Sequence, residues 1–262
     1  MADSRNGALP WRTDINFGGD LGVLGSVVKK NGLFDGMPLA ADPGDVFTFY
    51  DDFYSFDNTA TVGDWTSFST GTSGHVLQDT AGGSLAISTQ PSTPADNDEA
   101  YDSSIQEIFT FAATKKLWFE ARVHLTEANT DDANIIVGLS DKVGTGTLTA
   151  AGGGPQADYD GAVFFKVDGG TVWQFESSNA TTQVTDSSVA TFTSASIYKL
   201  GFYFDATATT SRIIYYIDGV QKGTQAITLS GLLPMHVLLG IRNGGANIET
   251  LIVDYVKVAQ LR

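Results

Sequence analysis

The sequence predicts an all-β protein, an antiparallel sandwich with an extended arm in front of it. Asp218 and Gly219 stand between two β-rich runs, and Asp-Gly there is a strong hairpin signal because glycine tolerates the positive φ of a primed turn. The run 116–126 alternates apolar and polar residues, which is the period of a strand with one buried face. Short runs of this kind, separated by Gly and Pro, are typical of a sandwich.

Composition and charge set the outer limits. The chain has 262 residues, 42% of them hydrophobic, which suits one large β domain. Its 30 acidic and 15 basic residues give a formal charge of −15, which argues against nucleic acid as a partner. The absence of Cys excludes disulfides, thiolate zinc sites and a Cys nucleophile. We find no apolar export signal and no membrane-length apolar run, so we expect neither Sec-type export nor a membrane partner.

The first part of the chain differs from the rest. Residues 1–45 are rich in Gly and Pro and show no clean alternation, so we assign them to an arm and 46–262 to the sandwich. Ordering an arm costs about 1–2 kcal/mol per residue, which burial of its apolar side chains in neighbouring subunits would offset. The alternative is an arm packed on its own sandwich. The predicted partner-binding residues are Trp11, Ile15, Phe17, Leu21, Leu24 and Phe34.

Strands are predicted in order along the sandwich. In the run 84–88, Leu85 and Ile87 alternate with small residues, and Gly82, Gly83 and Pro91 bound the strand. In the run 116–126 the odd-numbered residues form an apolar face and the even-numbered ones a mostly polar face. We find no long helix. The predicted strands are 46–50, 75–79, 84–88, 116–126, 133–139, 161–167, 171–176, 197–204, 212–217, 235–242 and 248–258.

The Asp218-Gly219 hairpin together with the closing strand 248–258 resembles the concanavalin A-like lectin and glucanase sandwiches, which include the laminin G-like modules. The opening at 51–53 resembles the start of many such domains. The resemblance covers 46–262 and implies a jelly-roll sandwich in which the first strand lies near the last, with Tyr50 and Asp52 close to Asp254 and Tyr255. It implies a fold more than a function.

The enzymes of that family are glucanases, which carry Glu, Asp and Glu at alternate positions of one strand. The nearest counterpart here has Glu120, but Arg122 and His124 replace the partner carboxylates that hydrolysis needs. We therefore predict an ordinary polar sheet face, no catalytic residue and no enzyme. The other histidines, His75 and His236, are far apart in the sequence, and a Ser-His-Asp triad is recognised by geometry that a sequence does not show.

Two kinds of ligand remain as hypotheses. Aromatic faces stack on sugar rings, and among the Trp and Tyr residues we choose Trp173 and Tyr159 as carbohydrate-binding candidates, with core packing as the alternative. The pair Asp158 and Asp160, and the pair at 131–132, carry the hard oxygen ligands of calcium, although Asp is also a common turn former. We predict no metal site and no cofactor, and we keep calcium as the candidate ion.

An acidic, Cys-free β-sandwich with an N-terminal arm looks like a bacteriophage virion protein, especially a capsid decoration or cement protein. That resemblance implies a non-enzymatic structural protein, assembled in the host cytoplasm and bound to the outer capsid surface. Its partners would be the major capsid protein and further copies of itself, with a trimer favoured. The alternative is a glycan-binding, lectin-like module on a virion surface or tail, and a glucan hydrolase ranks last.

Overall fold

The computed structural model describes residues 33, 45–59, 63–89, 92–127, 131–150, 152–206 and 211–262. These residues form fifteen strands in two antiparallel sheets. No helix among them is long or apolar enough to cross a membrane. The strands are β1 (Val46–Asp51), β2 (Trp65–Ser69), β3 (Gly74–Leu77), β4 (Leu85–Ser88), β5 (Glu99–Ser104), β6 (Leu117–Thr126), β7 (Ala133–Ser140), β8 (Gly161–Lys166), β9 (Val172–Asn179), β10 (Thr182–Thr191), β11 (Ile197–Ala206), β12 (Ser211–Ile217), β13 (Val220–Ala226), β14 (His236–Asn243) and β15 (Thr250–Leu261).

The first sheet, sheet A, joins the two ends of the sandwich. Its strand order is β13-β12-β11-β6-β15-β4-β3, and β1 also pairs with β15. The first and last strands are antiparallel neighbours, with Val46 opposite Leu261. The ring of Tyr50 lies 6.5 Å from that of Tyr255. The predicted proximity of the two ends is therefore confirmed.

The second sheet, sheet B, has the order β10-β9-β8-β7-β14-β5-β2. Three of its strands, β2, β5 and β10, were not predicted. Strand β5 is buried at all six positions although most of its side chains are polar, and β10 is a half-exposed polar edge strand. A search for apolar alternation misses such strands, because their hydrogen-bonded neighbours hold them in the sheet.

The core lies between the sheets. The odd-numbered residues of β6 are buried, as the alternation predicted. The ring of Phe119 stacks on that of Phe202 in β11 at 4.9 Å, and Phe175 of sheet B reaches Phe202 at 6.0 Å. One apolar cluster thus spans both sheets, and its burial is the main source of stability, at about 25 cal/mol per Å² of apolar surface.

Strand β15 contains a bulge that changes which residues face the core. The register with β6 shifts between Val253 and Tyr255, and Asp254 is the extra residue. Val253 lies in the core cluster before the bulge and Val256 lies in it after the bulge. The bulge keeps the core side apolar although the apolar spacing changes from two residues to three. It turns Tyr255 away from the core.

The Asp218-Gly219 turn is confirmed as a hairpin between β12 and β13. Asp218 has φ 54° and Gly219 has φ 76°, so both central residues adopt the positive φ of a type I′ turn. Asp218 also fixes the neighbouring strand, since its carboxylate accepts a hydrogen bond from the Lys199 backbone at 2.9 Å.

Candidate functional sites

The outer face of sheet A, the side turned away from sheet B, carries the strand compared with the glucanases. Glu120 accepts a hydrogen bond from the Tyr255 hydroxyl at 2.7 Å, while Arg122 forms an ion pair with Asp254 rather than with Glu120. Burial raises the pKa of Tyr255, and its hydrogen bond to Glu120 raises it further. Tyr255 therefore stays a neutral donor. This is a partly exposed network of paired polar groups.

An aromatic and apolar patch adjoins that network on the same face. The Trp118 indole stacks on the Tyr203 ring at 5.3 Å and is 1% exposed. Nearby, Leu33 is 5% exposed and sits over Gly201 of β11, where an added Cβ would lie 2.3 Å from Leu33 Cδ2. Glycine at this position therefore makes the notch that Leu33 fills. Part of the outer face of sheet A is a packing surface.

The predicted arm residues lie outside the described part of the chain. They are Trp11, Ile15, Phe17, Leu21, Leu24 and Phe34. The arm assignment for 1–45 stays a prediction, and Leu33 is the described residue that bears on it. Leu33 packs on the sandwich of its own chain, as the alternative considered from the sequence expected of the whole arm.

The outer face of sheet B is covered by the chain itself. The connection between β7 and β8, residues 141–160, contributes Leu148 and Tyr159 to a second apolar cluster with side chains of β5, β7, β8 and β14. Tyr101 of β5 packs over Gly240, where a Cβ would lie 1.9 Å from its ring. The Tyr101 hydroxyl accepts a hydrogen bond from the Leu148 backbone at 3.2 Å. The cover is therefore held by both apolar and polar contacts.

A buried ion pair anchors the same cover. Arg242 Nη1 lies 3.3 Å from Glu99 Oε1, and the two side chains are 10% and 7% exposed. Arg242 also donates to the Leu148 carbonyl, and the other carboxylate oxygen of Glu99 accepts from the Gly146 backbone at 2.7 Å. Hydrogen bonds to both partners offset the desolvation cost of burying such a pair.

A polar groove remains open beside this cover. Its volume is about 250 Å³, and the 152–155 loop, Phe165, Gln174, Glu176, Gln183 and Thr185 line it. Glu176 is 5% exposed and accepts hydrogen bonds from Tyr159 at 3.0 Å, from Gln183 at 2.8 Å and from Thr185. These donors satisfy a carboxylate that would otherwise be costly to bury. The groove offers amide, hydroxyl and carboxylate groups close together.

The two predicted carbohydrate-binding residues are not available for stacking on a sugar. Trp173 is 0% exposed, and the rings of Phe192 and Tyr198 meet it edge-on at 5.7 and 5.5 Å. Tyr159 is 2% exposed, and burial raises its pKa well above the ordinary value. This corrects the hypothesis that these rings are surface platforms, because core packing has buried them. The prediction rested on aromatic character alone, and aromatic residues of a core have the same character.

The structure brings Ser73 and His75, which are close in the sequence, together with Asp102, which is 27 residues from His75. Ser73 Oγ lies 2.7 Å from His75 Nε2, and His75 Nδ1 lies 2.8 Å from Asp102 Oδ2. Asp102 is 0% exposed, and its other oxygen accepts from the Ser67 hydroxyl. His75 belongs to β3 of sheet A and Asp102 to β5 of sheet B, so this chain of contacts joins the sheets at one edge of the sandwich. Sequence spacing could not reveal it.

The acidic pairs considered for calcium make contacts within the fold. Asp160 accepts backbone hydrogen bonds from Ala180 at 2.7 Å and from Leu233 at 2.9 Å. Asp131 and Asp158 both have positive φ, which Asp tolerates in turns. Within the described ranges, no group of three or more Asp, Glu or His side chains converges as a metal site.

No protein-family model matches the chain, and no curated protein sequence matches it either. Solved structures do match in fold. An endo-1,3-beta-glucanase from Streptomyces sioyaensis has a TM-score of 0.57 and 17% identity, over 86% of this chain and 99% of that one. A protein of unknown function from Shewanella oneidensis has a TM-score of 0.55 and 14% identity, over 83% and 87%. Peanut lectin has a TM-score of 0.53 and 14% identity, over 83% and 98%.

These likenesses confirm the class of protein. The chain has the concanavalin A-like β-sandwich fold shared by lectins and glucanases. The fold is common to enzymes and to proteins that only bind, so it does not decide between these activities.

Proposed function

We propose that this chain is a structural protein of a bacteriophage virion, a capsid decoration or cement protein that needs no catalysis. Its N-terminal arm would bind the major capsid protein, and the sandwich would lie on the outer capsid surface after assembly in the host cytoplasm. Arm contacts between copies would favour a homo-oligomer, with a trimer as the expected state. The proposal includes no cofactor.

The observation that supports this role most directly is the seat of Leu33. A residue ahead of the first strand fills a notch that Gly201 makes on the outer face of sheet A. The notch is filled by the chain's own Leu33, and the proposal extends the same mode of contact to arm residues that lie on a neighbouring subunit. The charge of −15 suits an external position, where nothing has to contact packaged DNA.

Capsid binding by the full-length chain tests the proposal. We expect the purified protein to co-sediment with phage capsids that lack it. We also expect virions of the phage that encodes the protein to contain it. Burying one large apolar side chain contributes about 1.5–3 kcal/mol, so Phe17→Ala with Leu24→Ala should weaken capsid binding at least about tenfold. The matched control is Leu77→Ala, which truncates a side chain already 40% exposed on β3.

Two results would overturn the proposed function: a full-length chain that stays in the supernatant, or virions that lack the protein. Light proteolysis tests the arm separately. Rapid cleavage ahead of Leu33 in the free chain, with protection on capsids, is the expected pattern, because capsid contacts would bury arm residues such as Phe17 and Leu24.

A second candidate function is carbohydrate binding by the groove beside Glu176. Gln174, Gln183 and Thr185 present hydrogen-bonding groups of the kind that recognise sugar hydroxyls. We expect any binding on a glycan array to be lost in Gln174→Ala. Gln221→Ala, on an exposed edge strand, should leave it unchanged. An array without a bound glycan, or binding that survives Gln174→Ala, would remove this candidate.

A further inference from the structure

We infer that Ser73 is an activated nucleophile, held in a Ser73-His75-Asp102 triad that can be acylated by small activated esters. The supporting observation is the unbroken chain of contacts: 2.7 Å from Ser73 Oγ to His75 Nε2, and 2.8 Å from His75 Nδ1 to Asp102 Oδ2. A triad of this kind is recognised by the geometry and roles of its members, whatever the fold or the order along the chain.

The contacts define which ring nitrogen carries the proton. An ionised carboxylate has no proton to donate, so Asp102 accepts and His75 Nδ1 donates. In the neutral ring, Nε2 is then left unprotonated. It accepts the Ser73 hydroxyl proton, which is the role of a general base.

The surroundings hold the base in place while leaving the serine accessible. Asp102 is fully buried, and its second oxygen is occupied by the Ser67 hydroxyl, which itself accepts from Asn58 at 2.9 Å. The His75 side chain is 9% exposed, whereas Ser73 is only half-buried. The carboxylate is therefore fixed from two sides, and Ser73 is a partly exposed member of this chain of contacts.

The chemical step is an acyl transfer. Ser73 Oγ forms a bond to the ester carbonyl carbon and its proton passes to His75 Nε2. The bond to the leaving oxygen then breaks, and that oxygen takes the proton from Nε2. Water releases the acyl group by the reverse sequence, giving a carboxylic acid and restoring the Ser73 hydroxyl. No oxidant or reductant is needed.

This inference goes beyond the proposed structural role and is independent of it, because Gly201, which Leu33 covers, is on β11, and β6, β15 and β4 separate β11 from β3 in sheet A. Its success would correct the expectation of a non-enzymatic chain. Its failure would leave capsid binding untouched, since the two tests measure labelling and co-sedimentation.

A fluorophosphonate probe tests the serine in the full-length protein. Attack by Ser73 Oγ forms a bond to phosphorus and expels fluoride, so one adduct per chain should appear by intact mass and map to Ser73. General-base assistance contributes about 10²–10⁴-fold, so His75→Gln and Asp102→Asn should each slow labelling at least about 100-fold. Ser73→Ala should abolish it, and Ser69→Ala, at the end of β2, should label like the parent.

Unfolding curves for each variant show whether slower labelling comes from loss of the general base or from loss of the folded structure. Ser73→Ala keeps the contact between His75 and Asp102, so it is the variant least expected to disturb the structure. Absence of labelling in the native parent, labelling spread over several serines, or a rate unchanged in a folded His75→Gln protein would each overturn the inference. In those cases the three residues would serve only to join the sheets.

Discussion

The outer faces of the two sheets differ in how the rest of the chain packs on them. Part of the outer face of sheet B is covered by the connection between β7 and β8, which takes part in a second apolar cluster and packs against a buried ion pair. On sheet A, Arg122 and Asp254 pair with their side chains 37% and 29% exposed, and Leu33 fills one notch. The outer face of sheet B therefore contributes buried apolar and charged contacts to stability, whereas the described contacts on the outer face of sheet A include a partly exposed ion pair.

The largest difference should come from the two ion pairs. Arg242→Met leaves Glu99 buried without its cation, and removing one partner of a buried pair costs about 3–5 kcal/mol. Arg122→Met removes a partly exposed pair, which costs about 0–1 kcal/mol. Urea unfolding of both variants measures the contrast. Equal losses in the free energy of unfolding would show that the ion pairs on the two faces do not differ in their contribution to stability.

The apolar contacts should differ next. Leu148 is 0% exposed beneath the cover of sheet B, so Leu148→Ala should lower the free energy of unfolding by about 3 kcal/mol. Leu33→Ala should cost less, about 1–2 kcal/mol, because Leu33 precedes the first strand and its site can relax. Thermal and urea unfolding test this order. A Leu33 variant as damaged as the Leu148 variant would place the arm among the essential parts of the fold.

The tyrosine hydroxyls provide a finer comparison. Tyr159→Phe removes one of three donors to Glu176 in sheet B and should cost about 1–2 kcal/mol. Tyr255→Phe removes the donor to Glu120, a half-buried contact on sheet A, and should cost under about 1 kcal/mol. Unfolding free energies at neutral pH measure both. A reversed order would mean that the Glu120 network contributes more than its exposure suggests.

The same tyrosines predict the smallest effect, a pH dependence. Burial first, and then the neighbouring carboxylates, raise the pKa of Tyr159 and of Tyr255 above the unfolded value near 10. Below about pH 10 both states keep these hydroxyls protonated, so they add no slope. Above it the unfolded chain ionises first, and stability falls as pH rises. We expect each Phe variant to lose less stability than the parent as the pH rises above about pH 10, and an unchanged slope there would contradict this.

The fold was largely predictable, and the candidate sites were not. The alternation of β6 and the Asp218-Gly219 turn are local signals, and the structure has both. The strands that escaped prediction, such as β5 and β10, are polar and owe their place to their neighbours. Trp173 and Tyr159 show a second kind of error, because their rings were predicted to be exposed and are buried. From the sequence alone, an aromatic residue of the core cannot be distinguished from one on the surface.

By itself the sequence determined the class of fold, the hairpin turn, the alternating faces and the acidic, Cys-free character, because each depends on local periodicity or on composition. Only the tertiary structure decided which residues from distant parts of the chain come into contact. Glu99 meets Arg242, Ser73 and His75 meet Asp102, and Leu33 meets Gly201 across long stretches of chain. Such meetings depend on strand order and register, and on a bulge such as the one at Asp254 that changes which side chains face outward.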